Sequence, residues 1–346
     1  MENMVNYFTN IKSKKILIFG NTGFVGSWLS IALKLLGANV LGFSLKMRNK
    51  NYISNTTEYK KLIPTIFCNI LNIKKVEKEL IRFKPDIVIH LASQPIVEES
   101  FKNPEKTFQT NIIGTVKILE FLKRIKTVKK IIIFTSDKVY KNNNTLLNEE
   151  SQIGGIDPYS ASKSCQDIIS QSYNHIFIKK EMIILRSGNI IGGGDWGYKR
   201  LFPDIVRAFI NKKNVQIRSI NSNRPWTHIL EVLNAILTIL NKKSKNKNYT
   251  QIYNLSSKAS NQVSVKKIIH LLKQNTQMKS LKIKKIQNLI KEKKYLQLSS
   301  KKIEFDYGLK KKLNLIESLK LTIDHYLSKK NQLYSKTKEQ ILNYFK

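Results

Sequence analysis

The sequence predicts an α/β fold, a doubly wound parallel sheet with helices on both faces, followed by a smaller C-terminal region of different rhythm. Three observations carry this. Short apolar runs alternate with helical patterns from Lys15 to about Leu185. A glycine-rich turn joins the first run to the first helix, and beyond about Asn189 the alternation breaks. Strands buried on both faces read as near-continuous apolar runs, and intervening helices supply the crossovers that parallel pairing needs.

The elements follow in order. Lys15-Ile-Leu-Ile-Phe19 is the first strand, and residues 28–36 have helical spacing that stops at Gly37. Residues 39–43 and 65–67 read as the second and third strands, and 73–83 as an amphipathic helix. Residues 86–90 make a fourth strand, 104–123 a long helix, and 130–134 a fifth strand. Residues 159–178 read as a helix and 182–185 as a sixth strand. Then come a loop at Gly192-Gly-Gly194, a helix at 201–211 and a short strand at 215–217, after which helices predominate. Residues 241–249 are the best loop or linker, and no internal repeat is visible. The expected division is 12–188 for the first domain, 189–330 mainly for a cap region with some segments returning to the first domain, and 331–346 for a helical tail.

Composition narrows the class. A chain of 346 residues with 41% apolar content can bury a core and is not disordered. No run of about 18 uncharged apolar residues is present, so no membrane span is expected. The polar start of the chain lacks the apolar stretch of a signal peptide. Cys68 and Cys165 match no metal spacing and read as reduced thiols of a cytosolic protein; no metal set is expected. The net charge of +37 suggests nucleic acid, but 53 of the 61 basic residues are Lys and 8 are Arg. Specific readers lean on the Arg fork, and these lysines are dispersed, which favours compositional drift.

Gly20-Asn-Thr-Gly23-Phe-Val-Gly26 lies between strand and helix. There glycines permit a tight turn and close backbone approach to a pyrophosphate, which the helix N-terminus then attracts. This is the Rossmann-type arrangement, with Thr22, Phe24 and Val25 in the same loop. A carboxylate about 20 residues on would hold the ribose of NAD, but the second strand leads into Ser44-Leu-Lys46-Met-Arg48. Lys46 or Arg48 would suit a 2′-phosphate, so NAD and NADP both stay open on this loop.

Tyr159-Ser-Ala-Ser-Lys163 places a phenol and an ammonium on one helix face. A neighbouring cation favours the ionised phenol, which can then take a proton from a sugar hydroxyl. Thr135-Ser136-Asp137-Lys138 follows the fifth strand, at the sheet edge where ligands of such folds bind.

Together these residues resemble the extended short-chain dehydrogenase/reductase superfamily, and within it the CDP-glucose 4,6-dehydratases. The resemblance runs from about residue 14 to 326 and includes His90-Leu-Ala-Ser-Gln-Pro95, Thr110-Asn-Ile-Ile-Gly-Thr115, Gly188-Asn-Ile-Ile-Gly-Gly-Gly-Asp-Trp196, Arg200-Leu-Phe-Pro-Asp204 and Arg224-Pro-Trp-Thr-His228. It implies a lyase holding NAD, which takes hydride from C4 of the glucose of CDP-glucose and returns it to C6 after water leaves across C5 and C6. The product, a 4-keto-6-deoxy sugar, belongs to deoxysugar and surface polysaccharide (O-antigen) synthesis. It further implies Ser136, Asp137, Lys138, Tyr159 and Lys163 as catalytic residues. Gly20, Thr22, Gly23, Phe24, Val25, Gly26, Asn69, Ile70, Leu91, Ala92, Gln94 and Asn111 would join Tyr159 and Lys163 around the cofactor. Gln94, Asn189, Arg200, Leu201, Arg224 and His228 would meet the substrate, Arg224 clamping the pyrophosphate. Lys138 stands where similar dTDP-glucose dehydratases carry glutamate, and serves either as a neutral base or as a cation beside the enolate. Two departures stand out: Glu98 where a basic residue is expected, and Asn69 where Asp is common. A homodimer packed through residues 107–124 and 159–178 is also implied. The alternatives are another nucleotide-sugar dehydratase or epimerase of the superfamily, and a basic non-catalytic protein associated with nucleic acid.

Overall fold

The computed structural model describes residues 2–141, 145–245, 248–286 and 295–346. Lys15–Phe19 (β1) pairs in parallel with Asn39–Ser44 (β2) and Ile87–His90 (β4). Thr65–Phe67 (β3) joins β2, Lys130–Phe134 (β5) joins β4, Glu181–Ser187 (β6) joins β5, and Thr250–Leu255 (β7) joins β6, all in parallel. The order is β7-β6-β5-β4-β1-β2-β3. The chain winds outward from β1 in both directions, so a crevice opens between β1 and β4 at the strands' C-terminal ends. The fold is the expected Rossmann-type α/β sheet.

Apolar runs form the sheet because both its faces are covered. One face packs against helices Phe24–Leu35 (α1) and Ile229–Asn241 (α5) and against the Leu333–Tyr344 helix (α8). The other packs against Gly114–Arg124 (α2). The helix Pro158–Tyr173 (α3) carries the Tyr-x-x-x-Lys pair. A separate apolar cluster gathers Leu201–Ile210 (α4), Val265–Asn275 (α6) and Leu315–Tyr326 (α7) around Trp226.

Several elements differ from the sequence expectation, each for a local reason. Residues 73–83 do not form one helix. The chain makes 3₁₀ turns over Ile70–Val76, with Asn72 non-helical, before the short helix Glu77–Phe83. Asn69 accepts from the Leu71 N–H at 3.0 Å, the kind of local bond that competes with a regular helix start. The 104–123 helix is interrupted by a π turn over Gln109–Ile113, where Asn111 turns its side chain to Gln94 and Ser162. The 159–178 helix likewise ends in a π turn over Asn174–Ile178, with Asn174 bonded to Lys180 and Thr250. Thr250–Leu255, within the stretch read as mainly helical, is the seventh sheet strand. In the expected 241–249 linker, α5 ends at Asn241, and Asn246 and Lys247 lie outside the described residues.

Candidate active site

The turn after β1 is built by close approach. A Cβ on Gly20, whose φ is +91°, would lie 2.7 Å from the Ala92 nitrogen, and one on Gly26 would lie 2.1 Å from the Gly20 carbonyl oxygen. Asn21 fastens the turn to β3 through Thr65 Oγ1 at 2.8 Å, and Thr22 Oγ1 donates to the Leu45 carbonyl at 2.9 Å. Gly23 precedes α1 with no side-chain cap. The first N–H groups and the positive dipole end of that helix therefore remain for an anion.

A cavity of about 2070 Å³ runs from this turn across the C-terminal strand ends. Gly20, Thr22, Gly23, Phe24, Val25, Gly26, Asn69, Ile70, Leu91 and Ala92 line one part. Ser136, Asp137, Lys138, Tyr159 and Lys163 line the middle, and Asn189, Arg200, Leu201 and Arg224 the other part. A tight turn whose glycines pack backbone on backbone, beside an uncapped helix start, fits a dinucleotide pyrophosphate.

In the middle of the cavity, α3 is started by Asp157, whose Oδ1 accepts from the Ser160 N–H at 2.9 Å, with Pro158 in the first turn. Lys163, 3% exposed, donates to the Phe134 carbonyl at 3.3 Å and to Gln166 Oε1 at 2.8 Å. Burial lowers its amine to about 7. Tyr159 is raised above the usual phenol value by burial; Lys138, a Ser136 hydrogen bond and Arg200 pull the other way, and Asp137 adds to the rise. Lys138, rather than Lys163, is thus the leading cation acting on the phenol. The Ser136 hydroxyl donates to Asp137 Oδ1 at 3.0 Å, and Lys138 Nζ lies 3.6 Å from the same oxygen. Asp137 is 1% exposed, and its Oδ2 has no partner among the described residues.

On the far wall, Asn189 Oδ1 is buried and unpartnered among the described residues. Arg200 is held by Asp195 at 2.8 Å. The departure at Glu98 has a partner: its carboxylate binds Arg218 at 2.5 Å, with Lys102 and Lys199 at 3.4 and 3.6 Å. Partial burial opposes the charge, but these cations hold the Glu98 carboxyl below its usual range.

Three expected ligand-binding residues do not line the cavity. Gln94 spends its side chain on Ile96 and Thr107, and Asn111 ties the Gln94 backbone to Ser162. His228 caps α5 by accepting from the Leu230 N–H, and burial lowers it to about 3, so it is neutral there. Each satisfies buried backbone or polar groups that would otherwise be orphaned. Lys46 also lies off the cavity, whereas Arg48 lines it. Sequence reasoning missed Gln166 and Arg218, which act through partners distant in the chain, and Asp195, which holds Arg200 five residues on.

The sequence model of the NAD dependent epimerase/dehydratase family matches residues 16–256. The chain belongs to that family. CDP-glucose 4,6-dehydratase of Salmonella typhimurium is 36% identical over 238 residues, covering 66% of this chain and 66% of the relative. dTDP-D-glucose 4,6-dehydratase of Dictyostelium discoideum is 32% identical over 280 residues, 75% of this chain and 62% of the relative. The matched part thus spans just under two thirds of each. UDP-glucuronic acid 4-epimerase of Bacillus cereus superposes with a TM-score of 0.79 at 23% identity, over 92% of this chain and 99% of that one. That likeness is one of fold.

Proposed function

We propose that the chain is a CDP-glucose 4,6-dehydratase with a resident NAD. The observation that carries this reading is the Asp137–Lys138 pair beside Ser136 and Tyr159 in one cavity. A 4-epimerase eliminates no water and has no use for a proton donor beside the phenol. The named dehydratase relatives and the cavity-lining Arg224 and Asn189 support the nucleotide-sugar assignment.

The glycine turn, Asn69, Ile70, Leu91 and Ala92 would hold NAD, with Lys163 at its nicotinamide ribose. When bound, NAD supplies a reversible hydride acceptor for oxidation at C4 and reduction at C6. Tyr159 takes the proton of the 4-hydroxyl, and Ser136 hydrogen-bonds that oxygen. The ketone so formed acidifies C5. Asp137 Oδ2, which bonds nothing else described, takes the C5 proton as a carboxylate and passes it to the departing C6 hydroxyl, which leaves as water. The ion pair with Asp137 supports the cationic role for Lys138, which stabilises negative charge on the enolate oxygen. Arg224 and Arg200 meet the pyrophosphate side of the substrate.

A homodimer through α2 and α3 is part of the same proposal. Phe108, Ile113, Ile168, Ile176 and Phe177 are exposed apolar residues along these segments. Cys68 and Cys165 are both free, which fits a reducing cytoplasm. No described helix is long and apolar enough to cross a membrane. Mass spectrometry of CDP-glucose after incubation tests the reaction type. Loss of one water is expected; an isomer of unchanged mass would replace the dehydratase reading with an epimerase one.

A further inference from the structure

Behind Lys163 lies a buried polar chain that the proposed chemistry does not use. Gln166 stands three residues further along α3 and is fully buried. Its Oε1 accepts the 2.8 Å bond from Lys163. Its Nε2 reaches Thr115 Oγ1 and His90 Nε2, each at 3.2 Å. Thr115 spends its own proton on the Asn111 carbonyl at 2.7 Å, so its oxygen is an acceptor toward the amide. The Gln166 amide nitrogen therefore donates to Thr115, whose oxygen also lies 3.0 Å from His90 Nε2, and the Gln166 oxygen faces the lysine.

We propose that Gln166 is a positioning residue for Lys163, its amide nitrogen held by Thr115 so that its carbonyl oxygen fixes the amine and stabilises its charged form. An ammonium has three donors. Phe134 and Gln166 take two, which leaves one aimed elsewhere for a ligand. Neither acceptor is charged, so the lysine keeps its positive field instead of being neutralised by an ion pair. The titratable and charged groups on the elements packed around it are Tyr159 on its own helix, His90 at the end of β4, Asp137 and Lys138 after β5, and Arg200 before α4. Burial lowers His90 to about 3, so it adds no competing charge. Asp167 on α3 is spent on Arg186.

The inference rests on the role proposed for Lys163, and its test separates the two. Gln166→Leu keeps the volume and removes the acceptor; Gln166→Glu keeps the acceptor and adds charge. Unfolding free energy is measured against pH for the wild type, for each variant, and for each in a Lys163→Met background, which isolates the lysine titration. The pH dependence of kcat and KM is measured beside it. Gln166→Leu should move the Lys163 midpoint down by about one to two pH units, and Gln166→Glu should move it up. The alkaline fall in kcat should follow both, with KM for the sugar nucleotide little changed. Thr115→Val, which loosens only the clamp, should give a smaller downward shift and decides the matter if Gln166→Leu does not fold. Unmoved midpoints, or equal shifts in the Leu and Glu variants, would overturn the proposal and leave Gln166 as packing. Shifted stability profiles with no turnover of any sugar nucleotide would keep it and sink the dehydratase reading instead.

Discussion

Replacing Lys163 with methionine should make the protein's stability less dependent on pH. The amine is 3% exposed, and burial takes it from 10.5 to about 7. At roughly 1.36 kcal/mol per unit, the full displacement corresponds to about 5 kcal/mol. The sign follows from proton counts. Below pH 7 both states bind the proton, and the native state carries the whole cost of a buried ammonium. Between about 7 and 10.5 the unfolded chain binds more protons, so this group makes the protein more stable as pH rises. Methionine removes that dependence. It also leaves the Phe134 and Gln166 oxygens without a donor, at about 1–3 kcal/mol each, but that loss is the same at every pH. The stability of Lys163→Met relative to wild type should therefore fall by about 3 kcal/mol between pH 7 and pH 9.5. Urea unfolding followed by tryptophan fluorescence at four or five pH values measures it. A difference that stays constant with pH would refute the reasoning.

Other residues give simpler outcomes. Asp167 and Arg186 form a buried bidentate pair at 2.8 Å that ties α3 to β6; Asp167→Ala should cost about 3–5 kcal/mol in urea unfolding, because it strands the guanidinium. Gly26→Ala places a Cβ 2.1 Å from the Gly20 carbonyl; calorimetric titration should show NAD binding lost while circular dichroism stays native. Tyr159→Phe should lower kcat by about 10²–10⁴-fold with little change in KM, as expected when a proton acceptor is removed and the cavity kept.

The strands whose residues face cover on both sides were legible in the sequence: β1, β4 and β5 are unbroken apolar runs. β7 was not, because Thr250, Gln251 and Asn254 put polar groups into a strand whose buried side chains make side-chain hydrogen bonds. The glycine turn and the Tyr159–Lys163 pair could be placed from spacing alone, since one turn of helix fixes their relation. Gln94, Asn111 and His228 were expected at ligands because they fall in segments that match the resembled family. In the structure their side chains bond backbone and side-chain groups, which no local pattern announces. The same holds for Gln166, whose contacts with His90 and Thr115 join residues 76 and 51 positions apart. Glu98 read as an unexplained departure until Arg218, 120 positions away, appeared beside it.

The most direct test is to mix the purified protein with CDP-glucose, and separately with dTDP-, UDP- and GDP-glucose, adding no cofactor, and to follow the base-induced absorbance of a 4-keto-6-deoxy product. The dehydratase account predicts the product from CDP-glucose, formed fastest among the four and unaffected or modestly enhanced by added NAD. No keto product from any of the four, even with NAD supplied, would contradict it.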